Sequence, residues 1–235
     1  MRVLWFVALF GCGYEKLPPL ASGDGGVDAA ISCSEGAVCP TGVCDTSTNV
    51  CVECIDDSTC DLAKPICSND VCVGCMTNAD CSSNTCLPSG QCAQKTDVAY
   101  VAPTGSGTDC SLMMPCGTVT DGLATMRPFI HLSGMFSQQA IATSSTTVTI
   151  IGDRDATGAI TSILLPQSGS PLLSIGGAGP RVTLVDISLV GTGGSSVGIS
   201  MFPTAGSGGV LSLSRCSVSG FTSYGIQSSA ADLNI

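Results

Sequence analysis

Short runs of alternating apolar and polar residues dominate the second half of the chain. Val98–Ala102, Phe129–Leu132 and Thr147–Ile151 each follow this pattern and are bounded by Gly, Ser, Pro or Asp. A period of two with turn residues at both ends predicts β-strands. In contrast, 117–126 carries its apolar residues at helical spacing, which predicts one short amphipathic helix.

Several of these runs repeat along the chain. Residues 182–191 match 211–220 position by position, 197–200 match 224–227, and a third copy begins at 233–235. Repeats of about 22–29 residues with short strands predict a solenoid, in which each coil needs neighbours to bury its thin apolar stripe. Because 233–235 repeats the start of an earlier coil, we expect residues 97–235 to be the N-terminal part of a longer solenoid.

The first half repeats its cysteines instead. Cys33, Cys54 and Cys75 stand 21 residues apart, and a second cysteine follows each of them after six positions. Each repeat contains four cysteines, and residues 33–96 are therefore predicted to be three small modules of about 21 residues. The twelve cysteines are Cys33, Cys39, Cys44, Cys51, Cys54, Cys60, Cys67, Cys72, Cys75, Cys81, Cys86 and Cys92.

Two chemistries compete for these cysteines. Cys51 and Cys54, followed by Cys72 and Cys75, have the spacing of a four-thiolate zinc site. Structural disulfides are favoured, because 33–92 contains no Phe, Tyr or Trp for a core, and crosslinks stabilise small exported domains. Four cysteines allow three pairings per module, and spacing does not choose among them.

Three cysteines lie outside the modules in the second half. Cys110 and Cys116 flank a short loop and are predicted to form a local disulfide. Cys216 aligns with the apolar Ile187, so we interpret it as a buried thiol that packs like a small hydrophobe. A bond to a partner outside the chain is the alternative.

The N-terminus has the pattern of an export signal. Met1 and Arg2 precede an apolar stretch, which is too short to span a bilayer and ends in Leu-Phe-Gly-Cys at residues 9–12. This ending resembles the lipobox of bacterial lipoproteins, which implies lipidation of Cys12 after removal of the signal. Residues 13–32 are predicted to be a flexible tether. The resemblance implies an exported protein that is lipid-anchored at the outer membrane or cell surface.

Charge narrows the set of partners. The 235 residues carry a net charge of −10 with 11% charged residues, so a nucleic-acid partner is excluded. Asp56, Asp57 and Asp61 are closely spaced, but without regular ligand spacing they indicate a solvated acidic surface rather than calcium binding. No metal and no cofactor is predicted.

The second half resembles a known family. Residues 100–107 (Tyr-Val-Ala-Pro-Thr-Gly-Ser-Gly), 115–119 with the following helix, and 129–136 look like the opening and cap of the pectin-lyase-like superfamily. The resemblance covers 98–235 and implies an all-β fold, a right-handed parallel β-helix, behind the disulfide-rich region. The modules resemble the cysteine-rich repeats of bacterial surface lipoproteins and, in cysteine spacing alone, those of dickkopf proteins.

Catalytic candidates in 97–235 are few. Asp186 and Arg215 occupy equivalent positions on successive coils, which favours an ion pair at a turn. The strand of His131 is expected to point it outward and leave it exposed, and turn chemistry accounts for Asp153 and Asp155. The remaining candidates are Asp109, Asp121, Asp232, Arg127, Arg154 and Arg181.

Enzymes of the resembling family use a basic residue with acidic calcium ligands, or paired carboxyl groups, and no such constellation stands out. No catalytic residue is therefore assigned. The sequence favours a non-catalytic surface module that binds an extracellular polysaccharide or a surface protein, or that has a structural role. The alternative is a polysaccharide lyase or glycoside hydrolase whose active-site coils lie beyond residue 235.

Overall fold

The computed structural model is nearly all β, with parallel solenoid coils behind a disulfide-rich stretch. It describes residues 33, 39–40, 42–137, 140–142, 147–166, 171–194, 197–203, 208–229 and 232–234. The predicted signal with Cys12 and the tether at 13–32 lie outside these residues. Among the described residues, no helix has the length and apolar character needed to cross a membrane.

Each cysteine-rich module is organised by a small antiparallel pairing. The first module contains β1 (Val43–Asp45) and β2 (Val50–Val52), and the second contains β3 (Ile66–Ser68) and β4 (Val71–Val73). In the third module, an isolated antiparallel β-bridge pairs the backbone of Cys86 with that of Cys92. Short 3-10 helices at 57–59, 78–80 and 95–97 complete this half.

The disulfides follow one rule in all three modules. The first cysteine bonds to the third and the second to the fourth. The third and fourth cysteines lie directly opposite each other in the antiparallel pairing of each module. The bonds are Cys33–Cys44, Cys39–Cys51, Cys54–Cys67, Cys60–Cys72, Cys75–Cys86 and Cys81–Cys92. The four cysteines of the zinc alternative thus lie in four different disulfides, and the prediction of a disulfide array is confirmed.

Backbone bonds repeat along with the disulfides. In each module the N–H of the first cysteine donates to a carbonyl in the hairpin turn, from Cys33 to Asn49, from Cys54 to Asp70 and from Cys75 to Gly90. The modules therefore share one local structure.

The solenoid is built from three parallel sheets. Strand β5 (Val98–Val101) and helix α1 (Val119–Ala124) precede it. The coil strands are β6 (Phe129–Leu132), β7 (Met135–Ser137), β8 (Ala140–Ala142), β9 (Thr147–Ile151), β10 (Ile163–Leu165), β11 (Leu173–Gly177), β12 (Arg181–Val185), β13 (Ser188–Val190), β14 (Val197–Pro203), β15 (Val210–Ser214), β16 (Ser217–Ser219), β17 (Tyr224–Ser228) and β18 (Asp232–Asn234). They form about four coils of three strands. Strand β18 adds a further strand to the six-stranded sheet, next to β15.

The register confirms the predicted internal repeat. Val182 pairs with Leu211, Val197 pairs with Tyr224, and Leu211 pairs in turn with Leu233. The strands β8 and β10 were not predicted, since three-residue strands give little periodic signal, and the five-residue strand β11 was not predicted either.

Alternation along each strand defines the inside of the solenoid. Ile130, Ile150 and Leu184 stack in the core of the six-stranded sheet β5-β6-β9-β12-β15-β18, and Leu164 and Ile199 contribute from the other two sheets. The intervening residues of each strand point away from this core. Burial of these stacked side chains holds successive coils together.

The N-terminal end of the solenoid is covered by the loop around Cys110 and Cys116, which are joined as predicted. The guanidinium of Arg127 donates to the carbonyls of Val98 (2.8 Å) and Cys110 (3.0 Å). Helix α1 ends before Met126, which has a positive φ of 57° and is 92% exposed. Met126 is therefore not part of the predicted apolar helix face.

Candidate functional site: a cleft at the module–solenoid junction

A cleft of about 1110 Å³ lies where the third module meets the six-stranded sheet. We call it the junction cleft. One wall comes from the third module, including Met76, Asn78 and Leu87. The other wall consists of residues at the ends of successive strands and the turns after them: His131, Asp153, Arg154, Asp186 and Arg215. The cleft contains the only histidine of the chain.

Strand β6 positions His131. Its neighbours Ile130 and Leu132 point into the solenoid core, so His131 points outward, in line with the sequence expectation. The expectation that it is exposed is wrong, because His131 is only 7% exposed. The third module packs over this face of the sheet, and the ring of Tyr100 meets His131 edge-on at 5.8 Å.

A hydrogen-bonded cluster links His131 to the third module. His131 Nε2 lies 2.7 Å from Asp153 Oδ1. Asn78 Nδ2 donates to the same Asp153 oxygen at 2.9 Å and to the carbonyl of Gly152 at 3.1 Å. Turn chemistry therefore does not account for Asp153, whose carboxylate joins two parts of the fold.

Asp153 is held as a carboxylate. Burial alone would raise its pKa, but hydrogen bonds from His131, Asn78 and Ser133 outweigh that effect, so the pKa is lowered. The hydroxyl of Ser162 fixes the backbone, accepting from Asp153 N at 2.8 Å and donating to Leu132 O at 2.6 Å.

Asn78 was not predicted as a site residue, although the repeat contains a signal for it. The equivalent residue in the second module, 21 positions earlier, is Asp57. Asp57 Oδ1 accepts the N–H of Cys67, and Asn78 Oδ1 accepts the N–H of Cys86, which is the matching cysteine. Asparagine thus keeps the acceptor of the repeat and adds an NH₂ group that reaches the solenoid.

A second charged cluster lies on the following coils. Asp186 accepts a two-point contact from Arg215, with distances of 2.8 and 2.7 Å, and a further contact from Arg154 Nε at 2.5 Å. The predicted pairing of Asp186 with Arg215 is confirmed, and Arg154 is an additional partner. Gly152 allows the coils to come this close, because a Cβ there would lie 2.2 Å from the Asp186 carbonyl oxygen.

The pairing changes the acidity of both partners. Burial acts to raise the pKa of Asp186, but the two guanidinium groups outweigh it and lower the pKa. The hydrogen bond to Asp186 raises the pKa of Arg215. Asp186 therefore remains ionised, and Arg215 remains protonated, across the whole physiological pH range.

The other predicted acidic residues have local roles. Asp155 Oδ1 accepts from the backbone N–H groups of Thr157 and Ala159, as expected for a turn residue. Asp121 shares a hydrogen bond with Thr118 at the start of α1, and Asp109 is exposed. The three module residues Asp56, Asp57 and Asp61 accept backbone N–H groups at 2.8–3.0 Å.

Two further candidates are not part of the cleft. Arg181 is exposed on β12, and Asp232 lies in β18. Cys216 is half-buried against the solenoid core, rather than fully buried like Ile187, and burial raises the pKa of its thiol. Within the described residues it is the one cysteine outside a disulfide.

Comparison of the chain with family models, curated proteins and solved structures finds no match. The pectin-lyase-like and lipoprotein resemblances thus stay predictions.

Proposed function

We propose that this protein is an exported, lipid-anchored surface module that binds an extracellular partner without catalysis, and that the junction cleft is its binding site. The supporting observation is that Asp153 and Asp186, two carboxylates that line the cleft, are already bonded to other side chains of the protein. Asp153 is paired with His131 and Asn78, and Asp186 with two arginines.

The acidity of these groups argues against glycoside hydrolysis. A catalytic general acid needs a carboxyl group with a raised pKa. The three aspartates that line the cleft, Asp153, Asp155 and Asp186, all have lowered pKa values. Lyase chemistry is disfavoured for a similar reason, because the pKa of Arg215 is raised and a base must give up its proton.

The anchor in this proposal is Cys12. Several acyl chains on one residue give stable membrane attachment, and the tether at 13–32 would hold the modules away from the bilayer. Cys12→Ser should release the protein from membranes and abolish fatty-acid labelling. A Cys12→Ser protein that keeps its label and its membrane association would contradict the anchor.

The binding role is tested on the intact, oxidised protein with arrays of polysaccharides and of surface proteins. The same polysaccharides are incubated with the protein and assayed for new reducing ends and for unsaturated products. Saturable binding without product supports the proposal. Turnover of any of them would replace it with the lyase or hydrolase alternative.

A further inference from the structure

The hydrogen bonds around His131 determine which ring nitrogen carries the proton. Asn78 Oδ1 accepts the Cys86 N–H at 3.0 Å, which fixes the orientation of the amide. Both N–H bonds of Asn78 are then used, one on Gly152 O and one on Asp153 Oδ1. Asn78 therefore has no proton left for His131 Nε2, which lies 3.4 Å away.

Nε2 must then be the donor to Asp153. The Asp153 oxygen is an ionised acceptor 2.7 Å from Nε2, and Asn78 and His131 thus donate to one shared oxygen. In a neutral imidazole with its proton on Nε2, the other nitrogen, Nδ1, has a lone pair and is a hydrogen-bond acceptor.

Nδ1 is left for a ligand. Among the described residues no group bonds to Nδ1. It is also not enclosed, since Ser83 Oγ is the unpaired polar side-chain atom found fully buried in the described part of the chain. His131 also lines the junction cleft. A nearly buried ring, fixed through Nε2, therefore offers one acceptor of defined direction to whatever enters the cleft.

The surrounding wall indicates the rest of the ligand. Met76, Leu87, Pro88, Leu112 and Pro115 line the cleft, and Met76 is 92% exposed. The ring of Tyr100 is only 4% exposed, and its hydroxyl donates to Ser83 O at 2.6 Å. The described cleft thus has aliphatic and thioether surface but no open aromatic ring on which a sugar could stack.

We propose that the junction cleft binds an extended segment of a partner protein, with a backbone N–H of that segment donating to His131 Nδ1. Aliphatic side chains of the segment pack against the wall formed by Met76, Leu87 and Leu112. A polypeptide fits better than a saccharide because it supplies N–H donors together with apolar side chains. This inference rests on the proposed binding function and names the class of its partner.

The test begins with linear peptides displayed on phage and selected on the full-length, oxidised protein. His131→Gln is the informative variant, because its amide can still donate to Asp153 while the acceptor at Nδ1 is lost. Each selected peptide is also synthesised with single N-methylated peptide bonds, which removes one N–H at a time. Leu87→Ala tests the apolar wall.

We expect one N-methylated position to weaken binding to the wild type about tenfold, as loss of one hydrogen bond does. His131→Gln should weaken the unmodified peptide by a similar factor, and the same N-methylation should then cost nothing further. With ¹⁵N-histidine labelling, the single imidazole should show its proton on Nε2, and the peptide should shift Nδ1.

Three results would overturn the inference. The first is that N-methylation and His131→Gln each weaken binding by their full factor when they are combined. The second is an imidazole with a proton on Nδ1, either alone or together with one on Nε2. The third is a protein that selects no peptide but binds a polysaccharide through His131, which would reassign the cleft to a saccharide and leave the binding function standing. Failure to bind either class, together with turnover, would instead remove the proposed function itself.

Discussion

The cysteine-rich modules and the solenoid are both built from repeats, but their stabilising contacts span very different lengths of chain. The module disulfides join cysteines 11–13 residues apart. In the solenoid, Arg181 pairs with Thr147 and with Val210 on the neighbouring coils. A module is therefore stabilised from within, whereas a coil depends on the coils beside it.

This difference also determines how far the loss of one stabilising contact affects the rest of the fold. Loss of one crosslink should disturb one module, while loss of one core side chain should weaken the whole solenoid. The two regions meet at the third module, where Asn78 and Tyr100 connect them. Changes at that junction should separate the two regions without unfolding either one.

Reduction of the disulfides is expected to have the largest effect. Each module disulfide contributes about 2–4 kcal/mol, and the modules have almost no apolar core to replace them. Hydrogen exchange after reduction should show residues 42–92 unprotected, while β9 and β12 stay protected. The control is the double variant Cys60→Ser and Cys72→Ser, which should lose protection in the second module alone. Modules that keep their protection after reduction would contradict the view that disulfides stabilise each module from within.

Truncation of a core residue should damage the solenoid instead. Leu184 is fully buried in β12, so Leu184→Ala should lower the free energy of unfolding of the solenoid by about 2–5 kcal/mol. Denaturant unfolding followed by hydrogen exchange would report this loss. Met135→Ala, at a site 55% exposed on β7, is the matched control and should change little. Equal losses in the free energy of unfolding from both variants would show that core burial is not the main source of solenoid stability.

Asn78→Asp restores the residue type of the second module and should break the junction. The carboxylate keeps the acceptor for Cys86 N–H but faces Asp153 without a proton to donate. We expect a loss of about 1–3 kcal/mol in the docking of the third module, seen as faster exchange at 76–92. The matched change Asp57→Asn, in the module without this contact, should have little effect. Unchanged exchange in Asn78→Asp would mean that the cluster does not hold the junction.

The charged cluster of Asp186 should give a smaller, acid-sensitive effect. Its lowered pKa means that the stabilisation is complete above the unfolded-state pKa of about 3.9 and is lost as the pH falls through the folded-state value. Asp186→Asn should cost about 1–2 kcal/mol at neutral pH. Melting curves from pH 7 down to pH 2 should show the variant and the wild type converging in acid. A constant difference across this range would contradict the ion-pair account.

The sequence alone was enough to predict the repeats. The 21-residue cysteine period predicted three modules. The match of 182–191 with 211–220 predicted which residues pair on neighbouring coils, and the structure has that register. Such patterns can be read directly because a repeated unit makes the same local contacts in each copy. The pair of Asp186 with Arg215 was predicted for the same reason, since equivalent positions on successive coils lie side by side.

Only the tertiary structure decided the contacts between unlike elements. Spacing left three disulfide pairings open per module, and the folded modules show one of them, first to third and second to fourth. The burial of His131 and the role of Asp153 depend on Asn78, which lies 53 and 75 residues from them in the chain. No periodicity relates these positions, because they belong to different repeats that meet only when the third module packs against the solenoid.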